Sequence, residues 1–170
     1  MLPVSSADGS WTKPIDALFT ATTSICVTGL VTVTTAVHWS FFGQLVIMIL
    51  AQLGGLGVIT AAMCIMLLLR KKITLKDRML IQETYNMDTL SGLVRLVIKI
   101  VKGTFLVEGV GALLYCFVLI PEFGFWPGLW KSVFNAVSAF CNAGMDVIGS
   151  DSLRAYAGNP LMNITTMMLI

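Results

Sequence analysis

Apolar residues are gathered into three long runs, and short mixed stretches with hydroxyl residues and glycine separate them. Phe41 to Leu69 is 29 residues in which only Gln44, Gln52 and Thr60 carry polar side chains. Gly103 to Ile120 is a second run, broken once by Glu108, and a third begins at Leu161 and reaches Ile170. A bilayer core of ~30 Å needs roughly 20 apolar helical residues. At about 1.5 Å per residue the first run exceeds that thickness, so it predicts a tilted spanning helix. Thr89 to Ile120 predicts a second long helix ended by Pro121, with Glu122 to Gly128 as an aromatic, glycine-rich outer loop.

The stretches between the runs are too short to span. Met1 to Ser10 reads as an exposed leader. Thr12, Lys13, Pro14 and Asp16 make a helix start, with a hydroxyl ahead of the first turn, proline within it and an acid near the positive end of the helix dipole. The helix that follows has about 10–12 residues before Cys26. Ser24-Ile25-Cys26-Val27-Thr28-Gly29-Leu30-Val31 then reads as a turn, and Val31 to Trp39 as a climb that ends on His38 and Trp39 at an interface. Non-helical backbone at membrane depth is tolerated only where protein or a water-filled cavity surrounds it.

The pattern recurs. At a constant offset of 115, Phe19 pairs with Phe134, Ala21 with Ala136, Cys26 with Cys141 and Gly29 with Gly144, four identities in fifteen positions. A short helix (Trp130 to Phe140), a Cys-x-x-Gly turn, a polar climb and an apolar run follow in the same order. A repeat of this kind defines the architecture. The fold class it predicts is an all-α membrane protein made of helix, re-entrant pore loop and helix, with about two units present. Residues 1–69 form the first unit without an outer helix, 70–88 a basic linker, and 89–170 the second unit up to the start of its inner helix.

Composition agrees with the pattern. The chain is 56% hydrophobic and only 12% charged, a membrane composition. A net charge of +2 and the lack of a basic patch with interleaved aromatics exclude nucleic acid as a partner. The four cysteines stand apart in apolar surroundings, which excludes a zinc cluster or a disulfide framework. No basic segment precedes an apolar one at the N-terminus, so no signal peptide is read there.

Arg70, Lys71, Lys72, Lys76 and Arg78 put five basic residues in nine positions against Asp77 alone. The positive-inside rule assigns that loop to the cytoplasm and both turns to the outside. Thr74 and Asp77 look like a capping pair for a short helix. The loop serves either as an anchor to anionic lipid or as a docking surface for a soluble partner. Arg95, Lys99 and Lys102 form a basic stripe at the cytoplasmic end of the second long helix. Gly54, Gly55 and Gly57 form either a notch for another backbone or a hinge. Glu108 is costly at membrane depth, and it reads as a functional carboxylate or as one paired for structural reasons.

A cation stripped of water recovers its lost interactions from backbone carbonyls, which add no competing fixed charge. Carbonyls line an axis in sequence only where some residue takes unusual dihedrals, as glycine does. Cys26, Val27, Thr28, Gly29 and Leu30, with Cys141, Asn142, Ala143, Gly144 and Met145, are therefore the candidate filter segments. The carbonyls of Val27, Thr28, Asn142 and Ala143 are the candidate potassium ligands. The rival readings are a non-conducting accessory membrane subunit and a membrane-embedded enzyme using Glu108, His38 or Cys141. The enzyme reading is poor because no base and nucleophile share a workable spacing.

Residues 16–57 (DALFTATTSICVTGLVT, then QLGGLG) and 136–146 (AVSAFCNAGMD) resemble the Trk/Ktr/HKT superfamily of potassium transporters, most closely its bacterial Ktr/Trk branch. The resemblance implies four unequal units around one pore, potassium as the transported ion with sodium coupling left open, no covalent cofactor, and no enzymatic activity. It also implies Gly29 and Gly144 as filter glycines, the one at the first filter favouring potassium over sodium. A homodimer in the cell membrane bound to a cytoplasmic nucleotide-sensing ring, which the basic loop would face, is implied as well. With two of four filters present, the chain is expected to be a fragment that does not conduct alone.

Overall fold

The computed structural model describes residues 3–57, 60–62, 79, 93–149 and 152–170. Among these residues the elements are helical. They are α1 (Pro14–Cys26), α2 (Thr35–His38), α3 (Phe41–Gly55), α4 (Leu93–Phe123), α5 (Phe125–Phe140) and α6 (Pro160–Leu169), with short 3₁₀ turns at Pro3–Ser5 and Ser152–Tyr156. The chain divides into one compact unit of residues 1–55 with 107–170 and another of residues 56–106. The basic residues Arg70, Lys71, Lys72, Lys76 and Arg78, and the Thr74–Asp77 pair, lie outside the described residues. In the 56–106 unit Arg95, Lys99 and Lys102 are all exposed on their helix.

In the larger unit α5 is the central element, because its sequence is apolar on two faces. Phe134, Val137 and Cys141 recur at helical spacing and pack with Trp39, Ile47 and Ala51. Ala136 packs on the other side with Ala112, Tyr115 and Leu119 of α4 and Met162 and Leu169 of α6. Polar groups inside this helix are satisfied locally: Ser132 Oγ donates to Gly128 O at 2.7 Å and Asn135 Nδ2 to Lys131 O at 2.9 Å. Trp130 Nε1 donates to Gln44 Oε1 at 2.8 Å, and Gln44 Nε2 to Trp39 O at 3.1 Å, which fixes α5 against α3. On α4 the opposite face leaves Val110, Leu113 and Phe117 exposed. Such an apolar outer face suits a lipid solvent. Arg95–Phe123 is the one helix among the described residues long and apolar enough to cross a membrane.

Four boundaries differ from the sequence expectations. The leader is exposed at Val4 and from Ala7 to Ser10 but is tethered: Ala7 N donates to His38 O and Ser40 N to Ser5 O, each at 2.9 Å, and Ser6 is buried. Thr12 does not cap α1, since its hydroxyl lies 3.2 Å from His38 Nε2 and the helix start has no side-chain cap. The run expected to continue to Leu69 stops as α3 at Gly55, and Gly57 takes φ +82°, a left-handed conformation that ends a helix whatever the hydropathy around it. Its 15 residues make about 22 Å of helix; residues 60–62 are helical again, with Ala61 N donating to Gly57 O at 3.0 Å, so the run is broken at Gly57. Residues 63–69 lie outside the described residues. Finally, Pro121 does not end α4. Proline removes its own N–H from the ladder and crowds the carbonyl four residues back, yet Gly124 N still donates to Ile120 O at 2.9 Å. The helix runs on to Phe123, Gly124 turns the chain at φ +85°, and α5 starts at Phe125, so the expected loop at 122–128 is mostly helix.

Candidate functional site

Two turns, Cys26 to Leu30 and Cys141 to Met145, lie side by side at the ends of α1 and α5. Their local geometry matches at the same offset of 115 found in the sequence. Val27 takes φ 55° and Asn142 φ 57°, while Gly29 takes φ +75° and Gly144 φ +65°. Left-handed backbone costs a side-chain-bearing residue roughly 1–2 kcal/mol, so glycine fits the second of these positions in each turn. Thr28 N donates to Thr23 O at 3.1 Å, and Ala143 N to Ser138 O at 2.7 Å. Leu30 N donates to Thr23 Oγ1 at 3.1 Å, and Met145 N to Ser138 Oγ at 3.0 Å. Thr23 Oγ1 also lies 2.6 Å from Thr28 Oγ1, and Ser138 Oγ donates to Met145 O. Each turn is thus folded around one buried hydroxyl from the helix that precedes it.

The turns touch through their glycines. A Cβ on Gly29 would lie 2.8 Å from Ala143 O, and one on Gly144 would lie 3.6 Å from Gly29 Cα. Both helices deliver their C-terminal ends here, and helix C-termini carry partial negative charge. The inner glycines meet these turns directly: a Cβ on Gly54 would fall 2.1 Å from Ile25 O, and one on Gly55 2.5 Å from Cys141 Sγ. Among the described residues, no atom lies within 4 Å of a Cβ built on Gly57.

Side chains that the sequence reading did not single out complete the site. Thr23 and Ser138 were legible only as hydroxyl residues sharing the repeat offset. Asp146 follows Met145 and lines a cavity of about 200 Å³ with Val31, Thr34, Thr35, Gly144 and Ser152. Its carboxylate accepts from Ile148 N at 3.1 Å and from Ser152 Oγ. Tyr156 donates to Glu122 nearby, and burial together with that carboxylate holds the phenol pKa above its ordinary value. Gln52 on α3 accepts from Cys141 Sγ at 3.6 Å. His38 stays at the leader, bonded to Thr12 and edge-on to Trp39, and Glu108 is buried on α4.

Two matched turns at the ends of short helices, beside an apolar helix of spanning length, define an all-α membrane protein. The family model TrkH, described as a cation transport protein, matches residues 3–170. The chain belongs to this family of cation transporters, which are not enzymes. It is 43% identical over 169 residues to the potassium/sodium uptake protein NtpJ of Enterococcus hirae, covering 99% of this chain and 37% of that protein. Against the Ktr system potassium uptake protein B it is 44% identical over 172 residues in Bacillus subtilis, covering 99% of this chain and 37% of that protein. The Vibrio alginolyticus protein of the same name is 35% identical over 164 residues, with 96% and 35% covered. The chain therefore spans little more than a third of the length of these relatives.

Proposed function

We propose that these residues supply two neighbouring filter segments of a potassium uptake protein. The observation that carries this reading is the paired geometry of the turns, glycine against glycine, with left-handed residues at the same two positions of each. Where φ alternates in sign, successive carbonyls can turn toward one side of the backbone instead of alternating across it. Val27, Thr28, Asn142 and Ala143 are the residues whose carbonyls would take the place of the ion's water. The C-terminal ends of α1 and α5 add negative potential without a fixed charge that would hold the ion too tightly. Uptake is the activity carried in the names of the Enterococcus, Bacillus and Vibrio relatives. Sodium, which shares the name of the Enterococcus protein, is the second cation against which the site is to be tested.

The complete protein is read as a multi-pass membrane subunit with the turns toward the outside and residues 70–88 in the cytoplasm. A homodimer and a cytoplasmic nucleotide-sensing ring against the basic segment are part of the same proposal.

The test is removal of the two hydroxyls. Ser138→Ala leaves Met145 N–H without its acceptor, and Thr23→Ala does the same to Leu30 N–H. A lost buried partner costs ~1–3 kcal/mol. Each alanine variant of the complete protein is expected to lower the ratio of rubidium to sodium uptake about tenfold, while Ser138→Thr and Thr23→Ser hold it. Unchanged ratios in both alanine variants would remove the turns from ion selection.

Asp146 makes a separate prediction. A carboxylate beside the filter mouth raises the local cation concentration, and this effect is screened by salt. Asp146→Asn is expected to raise the half-saturating potassium concentration about threefold at low ionic strength. The difference should vanish near 1 M choline chloride, where the Debye length is about 3 Å. A difference that persists at high salt would point to a structural defect instead.

A further inference from the structure

We infer that Glu108 and Gln52 form a buried pair that holds the second filter turn in place. The inference rests on the filter reading above and extends it to residues that do not themselves meet the ion. Glu108 is 4% exposed, and among the described residues neither of its carboxyl oxygens has a hydrogen-bond partner. Gln52 Nε2, also buried, is unpaired as well. Leaving either group alone in an apolar interior is costly. The two deficits are complementary: Nε2 is a donor, the carboxyl oxygens are acceptors, and Gln52 is the hydrogen-bonding side chain that faces Glu108. A hydrogen bond between them would satisfy both.

Joined, they make a chain of contacts from α4 to the site. Gln52 Oε1 already accepts from Cys141 Sγ at 3.6 Å. Cys141 closes α5 and opens the second turn, and it is clasped from the other side by Gly55, whose added Cβ would lie 2.5 Å from the sulfur. The equivalent cysteine of the first turn, Cys26, is exposed, whereas Cys141 is buried. The pair therefore sets the second turn apart from the first and is a positioning element for selectivity. Among the described residues, Cys141 and Gln52 are the groups that face Glu108 from the packed elements.

The experiment is a residue swap in the complete protein, read as the ratio of rubidium to sodium uptake together with the amount of protein in the membrane. Gln52→Glu alone sets two carboxyls face to face and is expected to lower the ratio at least fivefold or to prevent accumulation. Adding Glu108→Gln restores the same two groups with their places exchanged, and is expected to bring the ratio back to within twofold of wild type. An unaltered ratio in Gln52→Glu overturns the inference. So does a swap that stays as poor as the single variant or fails to accumulate, since it retains the same donor and acceptor. Gly144→Arg, measured alongside, separates the two readings: normal uptake there sinks the filter assignment, whereas the swap bears on the pair alone.

Discussion

Rubidium uptake is expected to fall to background in Gly29→Arg and in Gly144→Arg, with both variants present in the membrane in wild-type amounts. Both glycines sit at positive φ, +75° and +65°, where any other residue loses roughly 1–2 kcal/mol. That strain alone would lower the population of the working turn about tenfold, and arginine adds a fixed positive charge at the mouth of a cation path. The alanine variants sharpen the expectation, because they add strain without charge. Gly29→Ala places its Cβ 2.8 Å from a backbone oxygen, Ala143 O, which cannot move without the second turn, whereas Gly144→Ala finds its nearest atom at 3.6 Å. Gly29→Ala should therefore impair uptake more than Gly144→Ala, although the sequence treats the two positions as equivalent. Equal loss in the two alanine variants would mean that the turns do not meet as described. Normal uptake in both arginine variants would end the filter reading.

The repeat was legible because it is written in residue types that backbone geometry selects. Glycine at the same offset from a cysteine marks a left-handed position, and Gly29 and Gly144 both adopt one. Val27 and Asn142 share that conformation with no glycine to mark it, so half of the pattern stayed hidden. Helix ends were harder to place because hydropathy reports burial and not dihedral angle. Gly57 stops a helix inside a uniformly apolar run, and Pro121, the stronger-looking punctuation, is absorbed near the end of α4. The leader looked exposed because its residues are small and polar, yet its backbone bonds to residues 38–40, and backbone pairing leaves no trace in composition. The partners of Glu108 could not be read either. Gln52 lies 56 positions away, and only tertiary packing brings α3, α4 and the second turn together.

Gly54→Ala is the second variant expected to have a large effect, and it runs against helix propensity. In an isolated helix alanine is favoured over glycine by about 1 kcal/mol, and Gly54 and Gly55 are both helical. Packing reverses that preference. The added carbon at Gly54 would lie 2.1 Å from Ile25 O and 2.9 Å from its carbonyl carbon, which are backbone atoms at the end of α1. Relief requires α3 to withdraw from the first turn, and the close-packed interior around it resists. Overpacking of this kind costs ~1–3 kcal/mol even where side chains can yield. Gly55→Ala meets the flexible sulfur of Cys141 at 2.5 Å but also its Cα at 3.0 Å, so its effect should be intermediate. Gly57→Ala meets no atom of the described residues within 4 Å and carries the strain of φ +82°, so it should be the mildest. Rubidium uptake and the thermal midpoint of the detergent-solubilised protein should both fall in the order Gly57→Ala, Gly55→Ala, Gly54→Ala. A Gly54→Ala protein with wild-type midpoint and uptake would show that α3 does not press on the first turn in the working transporter, and the support drawn from the inner glycines would go with it.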